Sequence, residues 1–199
     1  MMKKIAGMLA TLLLCFQVSA APEFQEGKHY DVLSQPKSEQ PEVLEFFSYF
    51  CPTCGRFEPI VHELKANLPQ NVPFKKVPVS FLGREMGAET QRAFAVADEL
   101  QVEDKVTPLL FNNVRTLRNR DDVRQTFIKA GVPAAHFDDT VDSFAISGKT
   151  AQYDAMVSRY KLRGVPAFIV NGKYMVKLES ITSQAHFQSL VLFLLSKND

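Results

Sequence analysis

Val43-Leu44-Glu45-Phe46-Phe47-Ser48-Tyr49-Phe50-Cys51-Pro52-Thr53-Cys54 joins an apolar run to two cysteines separated by two residues. A run that is apolar on both faces is the pattern of a central strand covered by helices on each side, and Glu45 interrupts it. Pro52 suits the first turn of a helix, so the cysteines fall at a strand-to-helix junction. At a helix N-terminus, free backbone N–H groups and the positive end of the dipole favour a thiolate over a thiol. Two thiols so spaced also close a small ring, and the pair predicts thiol–disulfide exchange. Two other readings compete. A permanent structural bridge closing so short a loop would constrain the unfolded chain very little. Half of a zinc site would need two further ligands, and His29, His62, His136 and His186 are scattered along the chain. No metal and no cofactor are expected.

The start of the chain reads as a leader. Lys3 and Lys4 form a basic segment, and Met8 to Val18 is an apolar core too short to span a bilayer. Val18-Ser19-Ala20 supplies small residues before a cut, which puts a signal peptide at 1–20 and predicts export to the periplasm. Cys15 would leave with it. Of the three cysteines, Cys51 and Cys54 would then remain, in a compartment where disulfides persist.

The remainder is about the size of one domain, or of one domain carrying an insertion. Apolar residues make up 46% of the chain, enough for a real core. The formal charge of +1 becomes −1 once Lys3 and Lys4 are removed, which gives no electrostatic argument for nucleic acid or an anionic membrane as partner.

Working outward from the motif, His29 to Leu33 is a possible first strand, and Val43 to Phe50 a stronger one. A helix follows from the motif through Phe57, Ile60, Val61 and Leu64, with Pro59 expected to kink it. Phe74 to Phe81 reads as a strand, which Pro78 confines to an edge or bulge. From Glu85 to Tyr160, apolar residues recur at three- and four-residue spacings, as in Phe94, Ala97 and Leu100, and Pro108 and Pro133 punctuate the helices. Pro166 to Val170 should be a strand, Asn171-Gly172 a two-residue hairpin turn, and Tyr174 to Val176 the returning strand. Ser183 to Leu195 closes the chain as a helix. The fold class is α/β, with helices inserted before the last two strands.

A Cys-x-x-Cys at such a junction, a proline eight residues after the first cysteine, and the later Val165-Pro166 resemble the thioredoxin fold. The run from Val43 to Cys54, together with Leu162-Arg163-Gly164-Val165-Pro166-Ala167-Phe168-Ile169-Val170-Asn171-Gly172-Lys173-Tyr174, strongly resembles the DsbA family of exported bacterial thiol:disulfide oxidoreductases. Val102 to Thr107 is similar too. One departure stands at the centre: the family commonly has Cys-Pro-His-Cys, and here Thr53 replaces the histidine.

The resemblance implies a thioredoxin-like domain at 21–82 and 162–199, with an inserted helical subdomain at 83–161. It implies that Cys51 is the nucleophile, Cys54 the resolving thiol, and Pro52 and Thr53 the dipeptide that tunes them. With a neutral hydroxyl at Thr53, the disulfide should be less oxidising than the histidine form. Glu45 would lie beneath the cysteines and exchange a proton with Cys54, and Lys76 would be its basic partner, with Lys75 as the fallback. Val165, before a cis Pro166, would offer its backbone to an incoming peptide, and Phe50 would add an apolar contact. The activity implied is oxidation of reduced, unfolded exported proteins by a monomer that a DsbB-type membrane oxidase reoxidises. A disulfide isomerase or reductase, and a non-catalytic peptide-binding chaperone module, are the alternatives.

Overall fold

The structure, a computed structural model, describes residues 24–197. The expected leader, its expected cleavage after Ala20 and Cys15 all lie outside the described residues.

Five strands form one sheet: β1 (Tyr30–Val32), β2 (Val43–Phe47), β3 (Phe74–Pro78), β4 (Ala167–Val170) and β5 (Tyr174–Val176). Their order is β1-β5-β4-β2-β3, with β2 parallel to β3 and the other pairs antiparallel. Seven α-helices surround the sheet: α1 (Pro52–Asn67), α2 (Glu85–Glu99), α3 (Glu103–Asn113), α4 (Arg120–Lys129), α5 (Ala134–Val141), α6 (Phe144–Arg159) and α7 (Gln184–Ser196). Helices α2 to α6 all fall between β3 and β4. This is a thioredoxin-like α/β fold with a helical insertion.

β2 is buried along its whole length, and alternation divides its side chains between two layers. Leu44 and Phe46 pack with Ile169 and Tyr160 on one side. Val43 joins Val61, Leu64 and Phe187 of α1 and α7 on the other, and Phe47 meets the cysteines and the inserted helices there. Glu45 has the parity of Val43 and Phe47, so it points to the side that α1 covers.

Several boundaries differ from the expectations, each for a local reason. β2 stops at Phe47 rather than Phe50, because the Ser48 carbonyl accepts from Cys51 N–H and turns the chain into α1. β3 ends at Pro78 rather than Phe81, and Pro78 closes an edge strand, where its missing N–H costs no ladder bond. β4 begins at Ala167, so Pro166 precedes it. Pro108 lies inside α3 rather than interrupting it, as Pro59 lies inside α1.

The hairpin needs one residue more than its Asn-Gly signal suggests. Val170 pairs with Tyr174, leaving Asn171, Gly172 and Lys173 in the loop. Asn171 and Gly172 do supply the two positive φ angles, 52° and 67°. The Asn171 amide also donates to the carbonyls of Leu194 and Leu195, fastening the hairpin to the end of α7. Two helix ends carry no glycine signal at all. Gln101 after α2 and Lys161 after α6 take positive φ instead, closed by Val102 N–H to Ala97 O and Leu162 N–H to Val157 O.

Candidate active site

The end of β2 delivers Cys51 to the head of α1. Cys51 is the cap residue, and its Sγ accepts the Cys54 N–H at 3.1 Å, taking the place that a serine or aspartate oxygen fills in other helices. Pro52 follows in the first turn. The structure holds both cysteines as thiols. Cys51 keeps 7% of its surface exposed and Cys54 none. The two sulfurs therefore differ in reach, although neither is open to solvent at large.

Their surroundings differ too. The Cys51 thiol points to the Val165 carbonyl at 3.4 Å, and the peptide bond from Val165 to Pro166 is cis. Cys54 sits among Phe47, Phe94, Val106 and Leu110. Burial pushes its thiol well above the ordinary range, and the hydrogen bond with Cys51 adds to this. Inside the protein, the charged form of Cys54 is the costly one.

Glu45 is fully buried, and neither of its carboxylate oxygens has a hydrogen-bond partner among the described residues. Burial raises it from 4.5 to about 7, against the opposing attraction of Lys76. Lys76 is its direct neighbour across the parallel β2–β3 register, and Nζ lies 3.5 Å from Glu45 Oε2. That spacing makes an ion pair but leaves the carboxylate poorly hydrogen-bonded. Lys76 makes its closer contact, 2.5 Å, with Glu58 Oε1 of α1, and it sits over the Phe47 ring at 4.6 Å. Burial works against its charge, but Glu45 and Glu58 outweigh that and hold it above the usual lysine range. Lys75, one residue earlier, points away and pairs with Glu42 at 2.8 Å.

Glu58 and Lys76 line an open cavity of about 440 Å³ together with His62, Glu103, Asp104 and Thr107. Neither cysteine lines it. What it gives is contact between water and the acid–lysine chain, which starts at Glu45 and passes through Lys76 to Glu58. Sequence reasoning missed Glu58 and Glu103, because nothing in their spacing shows that α1 and α3 bring them to the same place as β3.

Phe50 is half-buried beside the motif, in contact with Gly83. A β-carbon at Gly83 would stand 2.2 Å from the Phe50 ring, and Gly83 has φ 89°, so glycine is needed there twice over. Leu82, Met86, Phe111 and Val165 pack on the same cluster as Phe50 and the cysteines. Thr53 is half-buried, and its Oγ1 accepts from Arg56 Nη2 at 2.9 Å, a contact that sequence reasoning also missed.

The histidines are less scattered than their numbering suggests. His29 and His186 lie with ring centroids 5.9 Å apart beside Phe24. Each Nδ1 accepts a backbone N–H, from Gln25 and Thr182 respectively. Among the described residues no group of three or more histidine, cysteine or acidic side chains is placed to hold a metal ion.

A family model described as a DSBA-like thioredoxin domain matches residues 42–185. The thiol:disulfide interchange protein DsbA of Pectobacterium carotovorum subsp. carotovorum is 40% identical over 208 residues, spanning 98% of this chain and 100% of that one. The DsbA of Escherichia coli (strain K12) is 43% identical over 181 residues, covering 88% and 86%. The crystal structure of the disulfide oxidoreductase DsbA from Proteus mirabilis aligns with a TM-score of 0.83 at 37% identity, over 88% of this chain and 98% of that one. A cysteine-to-serine form of that protein, with a non-covalently bound peptide PWATCDS, also aligns at 0.83, with 36% identity over 88% and 100%.

Proposed function

This chain belongs to the DsbA family, whose members are thiol:disulfide oxidoreductases, and from that premise we propose how its own residues carry out disulfide oxidation. In the oxidised protein Cys51 and Cys54 are bonded. A substrate thiolate attacks Cys51 Sγ, the bond to Cys54 breaks, and a mixed disulfide forms. A second substrate thiol, losing its proton, attacks the substrate sulfur and releases Cys51. The substrate gives up two electrons and leaves with a disulfide, and the protein leaves as the dithiol.

The observation that carries this reading is the difference between the two sulfurs. Cys51 is the one with exposed surface, while Cys54 is buried and strongly disfavours charge. When attack on Cys51 expels Cys54 as a thiolate, that thiolate needs a proton. Glu45, titrating at about 7, holds or yields a proton at neutral pH, and the Lys76–Glu58 chain gives it a route to water. We read Glu45 as the proton donor and acceptor for Cys54, and Lys76 as the group that keeps its titration near neutrality. Without that cation burial would push Glu45 higher still.

The substrate class is reduced, unfolded exported protein. Val165 has its carbonyl against Cys51, so its backbone is available to pair with an extended chain, a grip that does not depend on side-chain sequence. Phe50 and its apolar neighbours would take a flanking side chain. Residues 83–161 act as the inserted helical subdomain that walls the cysteines, and 21–82 with 162–199 form the thioredoxin-like domain. The protein works as a monomer in the periplasm after loss of residues 1–20, and a DsbB-type membrane oxidase takes its electrons.

The test is net oxidation of a reduced, unfolded protein without other oxidant, compared with reshuffling of a scrambled one. About one substrate disulfide per enzyme is expected, abolished by Cys51→Ser. Reshuffling with no net oxidation would replace this reading by an isomerase. Folding assistance that survives Cys51→Ser would replace it by a peptide-binding module.

A further inference from the structure

Helix α1 starts at the motif with no acidic residue in its first turn. Arg56, one turn along, reaches back toward that start, and its guanidinium donates to Thr53 Oγ1 at 2.9 Å. It is exposed and forms no ion pair among the described residues. A cation at a helix N-terminus sits at the wrong end of the dipole. Among the described residues no anion within ion-pair reach offsets that. Reduction frees at this end a sulfur that already accepts the Cys54 N–H, and a thiolate is the anion that a helix N-terminus and a nearby cation would favour.

We propose that Arg56, held in place by Thr53, is a positioning residue that favours the reduced motif and so makes the Cys51–Cys54 disulfide a stronger oxidant. The proposal rests on the oxidase reading above. Thr53 carries no charge of its own, but its hydroxyl fixes where the guanidinium's charge is held. A plain helix-surface contact at three-residue spacing would stabilise the oxidised and reduced proteins alike and leave their ratio unmoved.

The test is the equilibrium with glutathione. Two glutathione thiols give two electrons and two protons to the disulfide, yielding the dithiol and one glutathione disulfide. The ratio is measured for the unaltered protein, Arg56→Gln, Arg56→Lys, Thr53→Val and the Thr53→Val/Arg56→Gln double variant. Arg56→Gln should lower the equilibrium constant for reduction about threefold at low salt, or about 14 mV. Arg56→Lys should recover part of the loss. Thr53→Val should shift it the same way by less, and the double variant should match Arg56→Gln rather than add to it. The gap should shrink in molar salt, since an exposed charge is screened there. An unchanged constant in Arg56→Gln overturns the proposal, as does a lowered one that ignores salt. The unaltered protein's own constant is a separate readout: one as reducing as that of a cytosolic thioredoxin would overturn the oxidase reading instead.

Discussion

Replacing Glu45 with glutamine should remove a pH-dependent loss of stability from this protein. The ordinary value of the carboxyl is 4.5, and in the folded protein burial raises it to about 7. Below the unfolded value, the carboxyl is protonated in both states and contributes no pH dependence. Between the two values the unfolded chain has lost this proton while the folded one keeps it. The folded state then binds more protons, and stability falls as pH rises. Above about 7 the loss is complete, and the interval corresponds to roughly 3 kcal/mol. Glutamine does not titrate, so whatever fixed cost its amide carries is the same at every pH. Lys76 keeps Glu58 at 2.5 Å and stays charged through this range. The assay is urea unfolding of the dithiol form near pH 4 and near pH 8, with the slope m checked for constancy. The stability of Glu45→Gln minus that of the unaltered protein should be larger near pH 8 by roughly 3 kcal/mol. A difference that is equal at the two pH values, or larger in acid, would refute the reasoning.

Thr53→His should raise the equilibrium constant for reduction by glutathione about fivefold, or about 20 mV, because a ring able to donate or carry charge would replace a neutral hydroxyl at the head of α1. A constant that stays put or falls would remove the argument. Gly83→Ala should cost about 1 kcal/mol or more in a denaturant titration, since φ 89° suits only glycine well and the new methyl would strike Phe50. The same variant should bind an unfolded substrate peptide more weakly, because Phe50 must move from the mouth of the motif; unchanged stability and unchanged binding together would contradict this packing.

The order of elements and the motif were legible because each rests on a local signal. The apolar run from Val43, the proline after the first cysteine and the Asn-Gly turn all act within a few residues. Helix ends were less legible where the chain used residues without the expected chemistry. Gln101 and Lys161 accept positive φ where a glycine would have announced the stop, and Cys51 caps α1 through sulfur. The strand ends were overestimated because Tyr49, Phe50, Val79 and Phe81 prolong the apolar signal past the serines, although the turn at Ser48 leads the chain into α1 and Pro78 closes β3. The acid–lysine chain was legible only in part. An acid within an apolar strand demands a partner wherever it folds, but Glu58 and Glu103 come from helices whose placement no short-range signal reports.

Lys75 and Lys76 show what the missing information is. Both are lysines in one short strand, and composition cannot choose between them. The choice is made by parity and register. Glu45 pairs with Lys76 across parallel strands, so the two side chains leave the sheet on the same face, toward α1. Leu44 pairs with Lys75, whose side chain is 57% exposed and bonded to Glu42. Slipping β3 by one residue would exchange the two lysines and bring Phe74 and Val77 to the wrong layers, a change that the burial of Val77 resists. The hydrophobic pattern of an edge strand thus fixes which ammonium group lies beside the buried acid, and through it how readily that acid gives up a proton.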